Sequence, residues 1–295
     1  MFRVRRLLAP FVLCIALLFS EAQAFTIAWL SDTQNYHNAY KPIFDGMTQW
    51  IADNRAALDI RFVFHTGDVV GSWSSEDQWR QARESMGILS SASIPFLAAC
   101  GNHDIGYRMN YANFLKYVLS LRPASMSQEY GDTGSRYELF SANGRDYIFM
   151  GIAFSNKGPS EDEVNWINGV LRQYSSRDAI IITHSYLKKS ASYTTQGKAI
   201  FEKIVKANPN VFLVLCGHCR DISYKNVQLD DDGDGNPDRT VYAILSNFQG
   251  SKAGGGGYMR ILDFRDDDIY LYTYSPYYDS REYPKGKTEA TVPLP

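Results

Sequence analysis

Five short apolar runs in the chain each end at polar side chains that can bind a metal ion or move a proton. Polar groups at the end of a buried strand are costly unless they bind something. Ligands of α/β proteins bind outside the carboxyl ends of the strands, so we expect the five ends to form one site. The ends are Ser31-Asp-Thr-Gln34, His65-Thr-Gly-Asp68, Gly101-Asn-His-Asp104, His184 and Gly217-His-Cys219.

The candidate donor atoms are of mixed chemical type. A mixture of oxygen, nitrogen and sulfur donors favours zinc or another transition metal over calcium or magnesium. Two ions about 3.5–4 Å apart, bridged by one carboxylate such as that of Asp68, would clamp the attacking and leaving oxygens of a hydrolysis. The donors are the carboxylates of Asp32 and Asp68, the amides of Gln34 and Asn102, the imidazoles of His103, His184 and His218, and the thiol of Cys219.

The elements between these ends alternate between strand and helix. Apolar residues recur at helical spacing after each of the first runs, and two capping boxes mark helix starts. From residue 222 onward the pattern changes to four successive strands, so we predict two packed sheets flanked by helices. Helices are predicted at Pro42–Ala57, from Ser75, at Asn110–Val118, from Ser160 and at Gly197–Ala207, a hairpin at Arg136–Phe140 and Tyr147–Phe154, and an irregular segment at 119–134.

The first 24 residues have the features of a secretory signal peptide. Arg3, Arg5 and Arg6 precede the apolar run Leu7–Phe19, and Ala22-Gln-Ala24 is an A-x-A cleavage signal. We therefore predict a secreted or periplasmic protein with no stable membrane anchor after cleavage, and one domain over residues 25–295. The formal net charge of −2 argues against nucleic acid as the main partner.

Three cysteines follow the predicted cleavage site: Cys100, Cys216 and Cys219. An odd number leaves one thiol unpaired, and a Cys100–Cys216 disulfide is left open. Cys216 and Cys219 have C-x-x-C spacing, but strand-like sequence follows instead of the helix that a thiol-redox motif opens. A redox role is therefore the weakest of the candidate functions.

The five strand ends resemble the motifs of the calcineurin-like metallophosphoesterases, which include the purple acid phosphatases. That family carries D-x-H, G-D, G-N-H-[DE], a lone His and G-H-x-H in this order. The chain has Asp32-Thr-Gln34, Gly67-Asp68, Gly101-Asn-His-Asp104, His184 and Gly217-His218 at the matching places. The resemblance implies a four-layer α/β/β/α sandwich of two mixed sheets, and hydrolysis of small phosphomonoesters or phosphodiesters.

The resemblance also implies roles for the residues. Asp68 would bridge two transition-metal ions (zinc, iron or manganese), Asn102, His184 and His218 would complete one ion site, and Asp32 would bind the other ion. His103 would protonate the leaving alkoxide or orient the phosphate, and Asp104 would fix the His103 ring. The nucleophile would be a hydroxide made available by the ions.

Two departures from the family pattern fall on the same half-site. Gln34 replaces a ligand histidine, and Arg220 stands where the last histidine of G-H-x-H is expected. Arginine stays protonated and cannot ligate a metal. Three arrangements remain open: a second metal held by Cys219 and Gln34, a two-metal site completed by other groups, or one tight metal with Arg220 clamping a substrate phosphate. A binding protein that has lost turnover is the alternative function.

A second acidic segment, Asp230-Asp-Asp-Gly-Asp-Gly-Asn-Pro-Asp238, begins like a calcium-binding loop. The twelfth position is Val241 in place of the bidentate Glu, and strands flank the segment instead of helices. We therefore predict a solvated hairpin turn and keep calcium as the alternative. His65, within the second strand, is predicted to be a hydrogen-bonded core histidine.

Overall fold

A computed structural model describes residues 24–121, 128–284 and 289–295. The predicted signal peptide lies outside the described residues except for Ala24. No helix among the described residues is long and apolar enough to cross a membrane.

The first sheet has six strands in the order β13-β12-β11-β1-β2-β3. β1, β2 and β3 run parallel, and β11 pairs antiparallel with β1, so the sheet is mixed. β1 is buried along its whole length, which places it in the middle of the core. The strands are β1 (Phe25–Leu30), β2 (Ile60–His65), β3 (Phe96–Ala98), β11 (Met259–Phe264), β12 (Asp268–Tyr274) and β13 (Ala290–Pro293).

The second sheet has seven strands in the order β4-β5-β6-β7-β8-β10-β9. β6, β7, β8 and β10 are parallel, and the outer strands pair antiparallel. The strands are β4 (Gln128–Tyr130), β5 (Ser135–Ala142), β6 (Arg145–Ile152), β7 (Asp178–Thr183), β8 (Val211–Cys216), β9 (Asp221–Leu229) and β10 (Arg239–Asn247).

Helices cover the outer face of each sheet, which gives the α/β/β/α order of layers. Met47 of α1, Trp79 of α2 and Phe114 of α4 pack on the first sheet, and Ile167 of α5 and Ile200 of α6 pack on the second. The helices are α1 (Lys41–Asp53), α2 (Glu76–Ser91), α3 (Asn102–Ile105), α4 (Ala112–Tyr117), α5 (Glu161–Gln173) and α6 (Thr195–Ile200).

The space between the sheets is filled by an aromatic and aliphatic core. Phe62 and Phe64 of the first sheet contact Phe149 of the second with ring centroids 5.0 and 4.9 Å apart, in edge-to-face geometry. Such pairs add to the stabilisation from apolar burial. This packing fixes the two sheets against each other, and with them the strand ends that carry the candidate site.

The predicted layers are confirmed, and three details differ. β4 lies inside the segment predicted to be irregular, because a three-residue edge strand leaves no alternation to detect. The helix predicted to end at Ala57 ends at Asp53. The helix predicted over Gly197–Ala207 is α6 followed by a π-helical turn at Phe201–Val205.

Candidate metal centre

The strand ends of both sheets meet at one edge of the molecule. β2 leads to Asp68 and β3 leads directly into α3, which begins at Asn102. From the facing sheet, β7 leads to His184 and β8 to His218. Asp68, His184 and His218 place possible ligand atoms within 4.8 Å of one another.

His184 Nε2 lies at the centre of this group. It is 3.2 Å from Asp68 Oδ2, 3.1 Å from Asn102 Oδ1 and 3.1 Å from His218 Nδ1. The His184 ring and the Asp68 carboxylate are almost completely buried. Four donor groups from four different strand ends therefore point at one enclosed place.

The His184 ring has too few protons to donate to all of the acceptor atoms around its Nε2. His184 Nδ1 lies 2.9 Å from the carbonyl oxygen of Thr66, which can only accept, so Nδ1 carries a proton. Nε2 has at most one proton, yet it faces the oxygens of Asp68 and Asn102 as well as a second ring nitrogen. A cation bound among these atoms would satisfy all of them. A backbone carbonyl on the remote nitrogen is also the usual support of a metal-binding histidine.

The electrostatics of the buried pair agree with a cation site. Burial alone lowers the pKa of His184, but Asp68 and Asp32 outweigh it and raise that pKa to about 9. Burial alone raises the pKa of Asp68, but His184 lowers it below its usual value. The Asp68 carboxylate is thus held ionised by positive charge beside it, which is what a metal ion supplies.

Asp32 and Gln34 lie on the loop after β1, and Asp32 is close enough to His184 and Asp68 to interact with their charges. The Asp32 carboxylate accepts the backbone N–H of His218 at 3.2 Å and the hydroxyl of Ser31. Burial raises the pKa of Asp32 to about 7, and Asp68 adds to this shift. Gln34 Oε1 is buried and has no hydrogen-bond partner in the described part of the chain. An acceptor without a donor fits the ligand role that the sequence assigns to Gln34.

The backbone around these donors is strained in a way that brings them together. Asp32, Asp68 and His218 adopt left-handed conformations with φ of 52°, 54° and 69°, which side-chain-bearing residues rarely adopt. A Cβ at Gly101 would collide with the Asp68 carboxylate, and one at Gly217 with the Asp32 carboxylate. Strain of this kind is concentrated at functional sites.

His103 and Asp104 differ from the predicted pair. Asp104 Oδ1 accepts the backbone N–H groups of Val69 and Val70, and Oδ2 accepts that of Gly101. Asp104 therefore joins the loops after β2 and β3, and the prediction that it holds the His103 ring is wrong. The carbonyl oxygen of Gly71 holds that ring through His103 Nδ1 at 2.8 Å. This leaves Nε2 of the exposed His103 side chain as the nitrogen available to a ligand.

Cys219 and Arg220 lie after His218 and outside the group around His184. The half-buried Cys219 side chain packs against the outer core of the second sheet, and burial raises the pKa of its thiol, with Asp32 adding to the shift. Arg220 is exposed to solvent. The three cysteines among the described residues are free, so the disulfide left open between Cys100 and Cys216 is not formed.

His65 links two of the loops that carry candidate ligands. Its Nδ1 accepts the backbone N–H of Gly67 at 3.1 Å, so Nε2 carries the proton and donates to Thr33 Oγ1 at 3.0 Å. Burial lowers the pKa of His65 to about 3, which keeps the ring neutral. The prediction of a hydrogen-bonded core histidine is confirmed. The carbonyl groups of Thr66 and Gly71 were missed, because a backbone acceptor leaves no signal in a sequence.

Comparison with known proteins gives a consistent result. Residues 25–219, more than half of the chain, match the model of the calcineurin-like phosphoesterase family. An uncharacterized protein of Bacillus subtilis strain 168, YvnB, is 41% identical over 265 residues, which is 88% of this chain. The chain spans only about a fifth (20%) of the length of that relative.

Solved structures share the fold at low sequence identity. A dimetal phosphatase from Danio rerio is 12% identical with a TM-score of 0.61, covering 91% of this chain and 98% of its own. GAP50 of Plasmodium, described as the anchor in the inner membrane complex, is 13% identical with a TM-score of 0.59, covering 92% of this chain and 89% of its own. These likenesses support the two-sheet architecture.

Proposed function

The chain belongs to the calcineurin-like phosphoesterase family, and we propose that it is an exported hydrolase of small phosphate esters that depends on transition-metal ions. The observation that carries the proposal is the convergence on His184 Nε2 of one carboxylate, one amide and a second imidazole. These acceptors share too few protons, and family membership implies divalent metal ions at such a site. The donor atoms of Asp68, Asn102, His184 and His218 suit divalent metal ions.

Asp68, Asn102, His184 and His218 would hold one ion, with Asp32 and Gln34 on the side of a second. When bound, such ions polarise a phosphoryl oxygen and make a hydroxide nucleophile available near neutral pH. Thr66 fixes the His184 ring and Asp104 fixes the loops after β2 and β3, so the donors keep their positions without rearrangement.

His103 is placed to act on the leaving group. Its Nδ1 proton is engaged by the Gly71 carbonyl, so its exposed Nε2 can carry the proton that a departing alkoxide needs. A general acid of this type contributes roughly 10²–10⁴ in rate. Because Gly71 follows the loop of Asp68, the acid and the candidate metal ligands are held by the same short segment.

Export is supported by the position of the first strand. β1 begins at Phe25, directly after the predicted cleavage signal, and its residues are all buried in the first sheet. Cleavage after Ala24 would therefore leave intact every strand that the structure describes. Expression with the native N-terminus followed by N-terminal sequencing of the exported protein tests this, with Phe25 expected as the first residue and an intact leader as the contradicting result.

The phosphoesterase proposal is tested by loading purified protein with zinc, manganese or iron and assaying phosphomonoesters and phosphodiesters. We expect Asn102→Ala to lower metal content and activity together. His103→Ala should lower kcat about 10²- to 10⁴-fold while metal content is unchanged. Asn226→Ala, an exposed amide on β9, is the matched control. Equal residual activity in all of these proteins would end the enzyme proposal.

A binding protein without turnover is the second candidate, and the second half-site favours it. Gln34 and Arg220 stand at two ligand positions of the family, and the Cys219 side chain packs into the outer core. GAP50, which shares the fold, is described as an anchor. Elemental analysis separates the candidates: two bound ions per chain and turnover support the enzyme, whereas one ion or none without turnover supports the binding protein.

Arg220 has a proposed role only where a single tight ion is bound. Its exposed guanidinium could then pair with a phosphate oxygen. In that case Arg220→Ala should raise KM about tenfold with little change in kcat, and Arg220→Lys should restore part of the affinity. Equal KM values for the three proteins would leave the clamp without support.

A further inference from the structure

A pocket lies on the loop that follows β10, and none of its lining residues belongs to the donors around His184. Its volume is about 500 Å³, and it is lined by Gly250, Ser251, Lys252, Tyr258, Tyr278 and Pro284. The Tyr258 and Tyr278 rings are 5.7 Å apart with an interplanar angle of 42°. Nothing in the proposed chemistry at the metal centre uses these residues.

The register of the second sheet places the start of this loop beside the metal centre. β10 is parallel to β8, and Leu245 pairs with Cys216. His218 and Asn247 each lie two residues beyond that pair, and neighbouring strands are about 4.8 Å apart. The Asn247 amide donates to the His218 carbonyl at 3.1 Å. The pocket begins three residues later, at Gly250.

The other side of the loop is attached to the segment that carries Asp32 and Gln34. Asn35 Nδ2 donates to the carbonyl oxygens of Gln249 and Gly254 at 3.4 and 3.5 Å. The backbone N–H of Gly257 donates to the hydroxyl of the buried Tyr36 at 2.8 Å. The loop is therefore bonded to both halves of the candidate metal centre, which fixes the pocket relative to a phosphate bound there.

The pocket offers aromatic faces and one cation. Tyr258 is buried, and its hydroxyl donates to the Glu282 carbonyl at 2.9 Å, so its ring is rigid. Tyr278 is 43% exposed, with the rings of Tyr258 and Tyr277 beside it, so its side chain is accessible to a ligand. The ammonium group of Lys252 is exposed and has no hydrogen bond or ion pair within the described part of the chain. This combination suits a flat ring that carries an acceptor or a negative charge.

We propose that this pocket binds the aromatic part of the substrate, so that the preferred substrates are phosphate esters whose organic group ends in an aromatic ring. The inference rests on the proposed phosphoesterase function and assigns its substrate class. The phosphate lies at the metal centre, the ring packs on Tyr278, which the buried Tyr258 contacts, and Lys252 faces an electron-rich substituent of the ring.

The test uses ω-phenylalkyl phosphates with two to six methylenes, each compared with a linear alkyl phosphate of equal carbon number. Both members of a pair release a primary alkoxide of similar basicity, so a difference in kcat/KM reports ring binding. We expect the phenyl ester to be preferred about five- to tenfold at one linker length. Ratios near one at every length would overturn the proposal.

Variants locate the preference in the pocket. Tyr278→Ala should lower the ratio of kcat/KM for the phenyl ester to that for the alkyl ester to near one. Tyr40→Ala is the matched control, because Tyr40 is 45% exposed and lies before α1, outside the pocket. A preference that survives Tyr278→Ala contradicts the assignment. A para-carboxylate on the phenyl ring should strengthen binding several-fold in the wild type and not in Lys252→Gln.

A binding measurement keeps this inference separate from the proposed function. Calorimetry of the metal-loaded protein with the matching phenylalkyl- and alkylphosphonates requires no turnover. Tighter binding of the phenyl compound, lost in Tyr278→Ala, supports the pocket even if no ester is hydrolysed. Hydrolysis of both series at equal rates, with equal phosphonate affinities, refutes the pocket and leaves the phosphoesterase function standing.

Discussion

Among the described residues, two regions gather three ligand-capable side chains within 4.8 Å: the candidate metal centre around Asp68, His184 and His218, and the hairpin turn of Asp230, Asp232 and Asp238. In both regions the sequence motif suggests a metal. The first group is buried or half-buried and mixes carboxylate with imidazole, whereas the second is exposed and purely acidic. The contrast shows which physical features distinguish a cation site from a cluster of acids.

The hairpin satisfies its own charges. Asp230 accepts the backbone N–H groups of Gly233 and Gly235, at 2.6 and 2.8 Å. Asp238 accepts those of Asp231 and Asp232, and Asp231 pairs with Arg239. Water reaches the remaining lone pairs. The carboxylates of the hairpin therefore need no cation, although the sequence matches the start of a calcium loop.

The metal centre is compensated only in part, because Asp68 Oδ1 accepts the backbone N–H of His103 at 2.9 Å while its Oδ2 faces His184. The Asp68 carboxylate is buried, and its partner His184 has at most one proton to share among three neighbours. A buried charge is costly unless it is paired. Burial combined with a shortage of protons, and not the density of acidic residues, is what makes this region the better candidate for a cation site.

The largest expected effect comes from removing the charge at the centre of the comparison. Asp68→Asn keeps the shape of the side chain but removes the carboxylate that faces His184. Because loss of an outer support alone costs 10- to 100-fold in metal affinity or activity, we expect at least a hundredfold loss of the proposed phosphoesterase activity and loss of the proposed metal binding. Elemental analysis and steady-state kinetics measure both.

Asp232→Asn is the matched control for this substitution. It removes one carboxylate from the exposed group, and we expect metal content and kcat within twofold of the wild type. If Asp232→Asn lowered activity as much as Asp68→Asn, the two regions could not be distinguished by burial.

Much of this centre could be predicted because the ends of buried strands can be recognised in a sequence. Asp68, Asn102, His184 and His218 each follow an apolar run, and parallel strands bring such ends to one edge. Directions of side chains were not predictable. His218 has a φ of 69°, so the residues after it leave strand geometry, and spacing could not tell where Cys219 points. The partners of Asp104 were also hidden, because they are backbone groups of another loop.

The charges of the candidate metal centre should also make the stability of the metal-free protein depend on pH. The pKa of His184 is raised to about 9, so in the metal-free protein its protonated form stabilises the fold below its unfolded pKa near 6.5. That stabilisation is lost as the pH rises through about 9. Burial raises the pKa values of Asp32 and Asp104 to about 7. The folded state therefore holds their protons more tightly than the unfolded state, so their contribution to stability also falls as the pH rises to about 7. We expect the free energy of unfolding to fall on the order of 2 kcal/mol between pH 6.5 and 9.

Other histidines do not obscure this window. The pKa values of His65 and His218 are lowered by burial to about 3 and 4, so these two residues add stability as the pH rises, and their contribution is complete about one unit above the unfolded pKa near 6.5, which offsets only a small part of the fall from His184. Bound metal requires an unprotonated His184 Nε2, so the metal-loaded protein should lose this decline. Urea unfolding at fixed pH, with and without chelator, measures the difference. Parallel curves for the two forms would contradict the cation site.

A smaller effect is expected from the hairpin itself. Asp230→Ala removes the acceptor of the Gly233 and Gly235 N–H groups, but water can replace it because the turn is exposed. We expect Tm to fall by about 1–2 °C, with phosphatase activity unchanged. Differential scanning calorimetry measures the first and the esterase assay the second. A loss of activity would mean that the turn communicates with the metal centre.

The smallest effect, and the sharpest test of the contrast, is the response of the hairpin to calcium. A ligand that binds only the folded state stabilises it by RT ln(1 + [L]/Kd). The Asp230 and Asp238 carboxylates are engaged by backbone N–H groups, and the twelfth position is Val241, so no bidentate ligand completes a shell. We expect 1 mM calcium to shift the Tm of the chelator-treated protein by less than about 1 °C. A larger shift that disappears in Asp230→Ala would make the hairpin a calcium site, and exposed acids would then also have to count as cation sites in this fold.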